Sequence, residues 1–139
     1  MPRRKRIAVL AVAGIAALAA VGGLLAYWLK PDGSEMTNAD WHSGHARALG
    51  MVLPGDQITE VSEVGTRIVG DTFILLFNAE PKPIPFRLGT RSRDNIWECV
   101  LDTGSAEPAR REFAHASTFP LHAHSLAVLC SKTDNYATT

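Results

Sequence analysis

The sequence lacks the motifs that most directly identify a nucleotide-binding, hydrolytic or zinc site. It contains no glycine-rich phosphate loop, no nucleophile elbow and no zinc-binding pattern of Cys and His. With 139 residues it is also too short for a complete (β/α)₈ barrel, which needs about 250 residues, or for a dinucleotide fold with two βαβ halves. We therefore expect one small domain, and we predict no cofactor and no bound metal ion.

Basic charge is scarce beyond the first 30 residues. Residues 1–30 hold five basic and no acidic side chains, whereas the remaining 109 residues hold nine basic and fourteen acidic ones, a net charge of −5. Nucleic-acid binding requires a basic face, so the sequence predicts no nucleic-acid partner.

One long apolar run is present near the start. Ile7–Leu29 contains 23 residues without a charge, preceded by the basic cluster at residues 3–6 and ending in Tyr27 and Trp28. A helix of this length covers about 34 Å, enough to span a hydrocarbon core of about 30 Å. We predict a single-pass membrane helix with the N-terminus inside the cell. A cleaved signal peptide and a helix of a soluble core are the alternatives.

The rest of the chain has the pattern of a β protein. Short apolar or alternating segments are separated by turn residues, and no long amphipathic helix is evident. The predicted strands are Arg47–Leu53, Phe73–Phe77, Ile84–Leu88, Ile96–Leu101 and Leu126–Cys130. We predict an antiparallel β-sandwich over residues 31–131, a basic N-terminus with a hydrophobic helix over residues 1–30, and a flexible tail over residues 132–139.

Local signals refine three of these segments. Thr37 followed by Asp40 is a capping-box arrangement that predicts a short helix or turn. The uninterrupted apolar residues of Phe73–Phe77 predict a strand covered on both faces. Pro85 places its strand at a sheet edge, because proline cannot donate a ladder hydrogen bond.

Neighbouring acidic residues are candidates for a hydrolytic pair, which needs two carboxyl groups about 5 Å apart in a cleft. The nearest candidates are Asp32 with Glu35, Glu60 with Glu63, and Asp71. All five lie in turn-rich sequence, where such residues are typically solvated, and Asp32 and Asp71 are candidates for capping local turns. We predict that no residue of this chain is catalytic.

Pairs of histidines and cysteines are candidates for metal binding and for a disulfide. His42 with His45, and His122 with His124, have spacings that metal ligands use, but no third ligand is evident, so surface histidines are favoured. The only two cysteines are Cys99 and Cys130, both in predicted strands. Buried free thiols are favoured, and a disulfide is the alternative if the domain is exported.

Three aromatic side chains, Trp41, Trp97 and Tyr136, offer flat faces on which a sugar could stack. Trp97 alternates with apolar residues, which favours core packing, and Trp41 is expected to pack locally. Tyr136 lies in the polar tail. The pair Arg110-Arg111 is interpreted as a solubilising patch in a loop.

Several stretches together resemble the isoamylase-type glycogen debranching enzymes of the α-amylase superfamily. They lie within residues 28–139, in the same order as in that family: Trp28–Thr37, Asp40-Trp41, Ala46–Gly50, Asp71–Ala79, Trp97–Thr103 and Ser125–Leu129. The resemblance implies the β-sandwich that follows the catalytic barrel in that family, whose members hydrolyse α-1,6 branch linkages of glycogen with retention.

The resemblance also implies what this chain does not contain. The family's catalytic acids lie on the barrel, so none is carried over, and we expect an accessory domain that is truncated and inactive alone. A catalytic barrel or an α-glucan is the expected partner, in addition to the membrane through Ile7–Leu29. A membrane-anchored binding module and a gene fragment without a role are the alternatives, and a cytoplasmic location, as in the parent family, is the alternative to the membrane.

Overall fold

A computed structural model describes residues 26–89, 96–106 and 110–131, and these ranges form a mainly β fold. The elements are β1 (Tyr27–Leu29), α1 (Asn38–His42), β2 (Ala48–Leu53), a single 3₁₀ turn (Gly55–Gln57), β3 (Thr72–Asn78), β4 (Ile84–Arg87), β5 (Ile96–Asp102), β6 (Arg111–Ala114), β7 (Thr118–Leu121) and β8 (Ser125–Ser131).

The strands form two antiparallel sheets. The larger sheet has the order β1-β2-β3-β8-β5-β6, and the smaller consists of β4 and β7. All pairings are antiparallel, and β3 pairs with β8 along its whole length and with β2 from Phe73 to Asn78. The predicted mainly β, antiparallel architecture is therefore confirmed.

The hydrophobic core lies between the two sheets. Alternate residues of the large sheet point toward the small one, whose apolar side chains close the core from the opposite side. The core consists of Leu29, Val52, Ile74, Leu76, Phe86, Leu88, Trp97, Cys99, Phe119, Leu121, Ala127 and Leu129. We call the side of the large sheet that carries these residues the inner face and the opposite side the outer face.

Local sequence explains the ends of several elements. At α1, the Asp40 amide donates to Thr37 Oγ1 (3.3 Å) and the Thr37 amide donates to the Asp40 carboxylate (2.8 Å), so the predicted capping box is confirmed. In the small sheet, Pro85 lies opposite Pro120. Within the described residues each strand of that sheet pairs with one other strand, so both are edge strands, where proline is tolerated. The edge position predicted for Pro85 is also confirmed.

The five predicted strands are all present, but the fold contains additional strands, and β3 is less buried on one face than predicted. Ile74 and Leu76 on the inner face of β3 are fully buried, whereas Phe73, Leu75 and Phe77 on its outer face are only half-buried. The sequence prediction missed β6 and β7, because each has only four residues and both lie in a segment rich in polar and turn-forming residues.

The predicted N-terminal helix is wrong at its C-terminal end. Tyr27–Leu29 form strand β1, which pairs with β2 from Val52 to Gly50. The rest of the predicted helix lies outside the described residues, as does the predicted tail at 132–139. Within the described ranges no helix is long and apolar enough to cross a membrane. The domain boundaries proposed from sequence stay predictions.

Candidate functional site

The acidic residues considered as a hydrolytic pair are exposed on turns and loops. Asp32 accepts hydrogen bonds from the amide (2.9 Å) and hydroxyl (2.6 Å) of Ser34, and these bonds hold its pKa below the usual value. The prediction that Asp32 stabilises a turn is confirmed. Glu35, Glu60, Glu63 and Asp71 are likewise exposed. That none of these residues is catalytic stays a prediction.

The histidine pairs are also on the surface. His42 lies on α1 with its Nδ1 atom 2.7 Å from the Asn38 carbonyl, and His45 is exposed in the following loop. His122 and His124 lie in the turn between β7 and β8 rather than on one strand, and His124 has a positive φ of 47°. Among the described residues no cluster of three metal-ligating side chains exists.

The two cysteines are buried free thiols, as favoured from the sequence. Cys99 pairs in register with Leu129 on the inner face, whereas Cys130 pairs with Phe73 and Glu98 and therefore lies on the opposite face of the sheet. Cysteines on opposite faces cannot adopt disulfide geometry. Burial raises the pKa of the Cys99 thiol, and the nearby Asp102 carboxylate raises it further.

Trp97 and Trp41 pack as expected, but Arg111 is not the surface residue that the sequence predicted. Trp97 is buried in the core, and Trp41 meets Trp28 edge to face with ring centroids 5.5 Å apart. Tyr136 lies outside the described residues. The interpretation of Arg110-Arg111 as a solubilising patch is wrong for Arg111, because its guanidinium binds the nearly buried Asp102 carboxylate at 2.6 Å.

The Asp102–Arg111 ion pair lies at the edge of the hydrophobic core, next to two aromatic rings. The Arg111 guanidinium carbon also lies 5.8 Å from the ring centroids of both Phe113 and Phe119. The aromatic rings favour the cation electrostatically while Asp102 neutralises it. Sequence spacing alone did not reveal this pair, since the loop between β5 and β6 separates its members.

The outer face of the large sheet is apolar across five neighbouring strands. Its side chains alternate with core residues along each strand, except at a bulge between Cys99 and Leu101 in β5. Beyond this bulge, Leu101 lies opposite the outer-face residue Val128. They are Trp28, Leu49, Met51, Leu53, Phe73, Leu75, Phe77, Leu126, Val128, Ile96 and Leu101. Most are half-buried and Leu49 is buried, but Ile96 and Leu101 on β5 are 49% and 47% exposed. The sequence signal for this face was the uninterrupted apolar run of β3, since an apolar side chain at every position places some on both faces.

Carboxylates border the outer face at its β5–β6 edge. Glu98 and Glu112 lie directly opposite each other in the register of β5 and β6. The exposed guanidinium of Arg110 forms an ion pair with the Glu98 carboxylate at 4.0 Å. Like charges directly opposite on neighbouring strands are destabilising, so this arrangement favours a cation close by.

An open cleft lies beside α1 at the other side of the domain. Its volume is about 240 Å³, and two loose ion pairs line it, Lys30 with Asp40 at 3.5 Å and Arg47 with Glu80 at 3.8 Å. Pro31, Met36, Ala46, Ala48 and Ile84 supply its apolar lining. Apolar patches beside charged hydrogen-bonding groups suit an amphipathic, polyhydroxylated ligand.

Comparisons with known proteins agree on one assignment. Residues 26–130 match the family described as Isoamylase, C-terminal. The chain is also 35% identical over 103 residues to proteins named Glycogen operon protein GlgX homolog in Mycobacterium tuberculosis and Mycobacterium bovis. These matches cover 73% of this chain but only 14% of each relative.

Proposed function

This chain belongs to the isoamylase C-terminal domain family, and from that premise we propose that it serves as the accessory domain of a glycogen debranching enzyme. The single observation that carries the proposal is the extent of the match. It includes β1 to β7 and nearly all of β8, so the family assignment applies to the whole described fold. The printed name of the relatives, which refers to a glycogen operon, supports the metabolic context.

In this proposal the domain docks on a catalytic barrel and stabilises it, and the barrel performs α-1,6 hydrolysis. The chain spans only 14% of the relatives' length, so most of each relative consists of other sequence. The acidic residues that the sequence offered for hydrolysis are exposed and scattered over turns. We therefore propose that the chain has no debranching activity alone.

The test uses a mycobacterial relative expressed without the segment that this chain matches. The purified full chain is assayed on branched glucan alone and in mixture with that catalytic portion, by the release of linear chains. We expect no activity from the chain alone, and a higher thermal stability and longer-lived activity of the catalytic portion in the mixture. Linear chains released by the chain alone, or no effect in the mixture, would contradict the proposal.

A second candidate role, binding of an α-glucan, is favoured by the cleft beside α1. Carboxylate, ammonium and guanidinium groups at its rim can bind sugar hydroxyls, and its apolar side chains can contact the sugar ring. Native gel electrophoresis through glycogen tests this role. We expect Glu80→Gln to abolish a retardation that Glu63→Gln, on a distant exposed loop, leaves unchanged. Equal mobility of the chain with and without glycogen would exclude the role.

The alternative of a membrane-anchored binding module rests on the apolar residues that precede β1. Because Tyr27–Leu29 form a strand, the uncharged run available for a membrane helix shortens to residues 7–26. That number of residues still meets the length of about 20 that a membrane helix needs. Fractionation of cells that make the full chain, with a reporter fused after Thr139, tests the membrane location and the side on which the domain lies.

A further inference from the structure

The outer face of the large sheet is an apolar surface of a size that often marks a binding site. Five strands spaced about 4.8 Å apart and roughly 20 Å long give a projected area of about 400 Å². Apolar patches of about 300–600 Å² are the largest that monomeric proteins normally expose, and they often mark binding sites. The core does not explain this face, because the core lies between the sheets on the opposite side.

Exposure is greatest at the β5 side of the face. Ile96 and Leu101 are about half exposed, and Leu101 lies opposite the half-buried Val128. On the neighbouring β6, Glu112 lies opposite Glu98. A partner that fits this side would combine apolar side chains with a basic residue close to the two carboxylates.

We propose that the outer face is the surface through which this domain docks on the catalytic portion of the debranching enzyme, and that a basic side chain of that portion binds between Glu98 and Glu112. This inference rests on the proposed function and adds the face and the chemistry of its partner. Two observations support the catalytic portion as the partner of this face. The family match extends over both sheets and so includes the outer face, and the relatives attach the matched segment to a much larger protein.

Exposed apolar residues elsewhere provide a matched control. Residues 59–69 form a hairpin arm, closed by a bridge between Val61 and Arg67 and by a hydrogen bond from the Ser62 amide to the Thr66 carbonyl (2.8 Å). Val64 near its tip is 86% exposed. Replacing Val64 by lysine therefore makes the same kind of change as at Leu101, but on a loop between β2 and β3 instead of on a strand of the large sheet.

The experiment measures the affinity of the full chain for the catalytic portion of the mycobacterial relative by isothermal titration calorimetry. We expect Leu101→Lys and Ile96→Lys each to weaken binding at least about tenfold, since each places a charge in a desolvated contact. Val64→Lys should bind like the unaltered chain. Glu98→Gln combined with Glu112→Gln should weaken binding and reduce its dependence on salt. Circular dichroism melting curves verify that each variant is folded.

The outcomes separate this inference from the function on which it rests. If the unaltered chain does not bind, the proposed function and this inference both fail. If it binds and the outer-face variants bind equally well, only the assignment of the face fails. Loss of binding in Val64→Lys alone would place the contact on the hairpin arm. A dimer of the chain that Leu101→Lys dissociates, or binding that appears only after removal of residues 1–25, would identify a different occupant and overturn the proposal.

Discussion

Replacing Asp102 by asparagine should destabilise the fold more than any other acid-to-amide change among the ion-paired carboxylates described above. The Asp102 side chain is only 3% exposed and lies 2.6 Å from the Arg111 guanidinium, which is itself 31% exposed. Removing one member of a fully buried pair costs about 3–5 kcal/mol. Because water reaches part of Arg111, we discount this to about 2 kcal/mol. The Asp102 bond to the Gly104 amide (2.9 Å) is retained, since asparagine keeps an acceptor oxygen.

Equilibrium urea unfolding followed by tryptophan fluorescence measures this effect. With an m-value of about 1.5 kcal/mol per molar, the loss corresponds to a midpoint about 1.3 M lower. Glu80→Gln is the control, because its ion pair with the half-exposed Arg47 is long, at 3.8 Å, and should contribute less than about 1 kcal/mol. Equal midpoints for the two variants would refute the reasoning. A double variant of Asp102→Asn with Arg111→Met should lose less than the sum of the single changes.

Three further predictions concern other parts of the fold. Gly55→Ala should destabilise the domain by about 1–3 kcal/mol in the same urea assay, because its Cβ would clash with the Gly70 carbonyl oxygen. A change below about 0.5 kcal/mol would contradict this. Cys99 and Cys130 should both be alkylated in urea without reductant but react slowly in the native state, as mass spectrometry can measure, and a thiol count of zero would indicate a disulfide. Hydrogen bonds from the amide and hydroxyl of Thr37 lower the pKa of Asp40 in the folded state. The contribution of Asp40 to stability should therefore be present above the ordinary pKa of an aspartate and be lost as the pH falls through the lowered pKa of the folded state. An unchanged acid-unfolding curve for Asp40→Asn would contradict this.

The sequence predicted those elements whose signals are local. The capping box needs only Thr37 and Asp40, three residues apart, and the apolar run of β3 defines a strand without reference to its neighbours. The stretches that resemble isoamylase-type enzymes led to the correct family because all six occur in the same order as in that family. Each of these inferences depends on residues close together in the chain or on their order.

The features that the sequence did not predict depend on tertiary pairing. Nothing in the apolar run at the N-terminus indicates that its last residues, Tyr27–Leu29, are not part of the predicted helix. These residues form a strand because the edge of β2 is available for pairing. Arg111 looked like a surface residue until the pairing of β5 with β6 brought it to Asp102. The sequence indicated only parts of the outer face, because strands distant in sequence, such as β3 and β8, become neighbours on folding.

Photo-crosslinking from Leu101 tests the central claim most directly. A photoreactive phenylalanine analogue is placed at position 101 on the outer face, and at position 64 on the hairpin arm as control, and each full chain is irradiated with the catalytic portion of the mycobacterial relative. The account predicts a crosslink to that portion from position 101 and none from position 64, identified by mass spectrometry of the joined peptides. Crosslinks from position 64 alone, or from neither position, would contradict it.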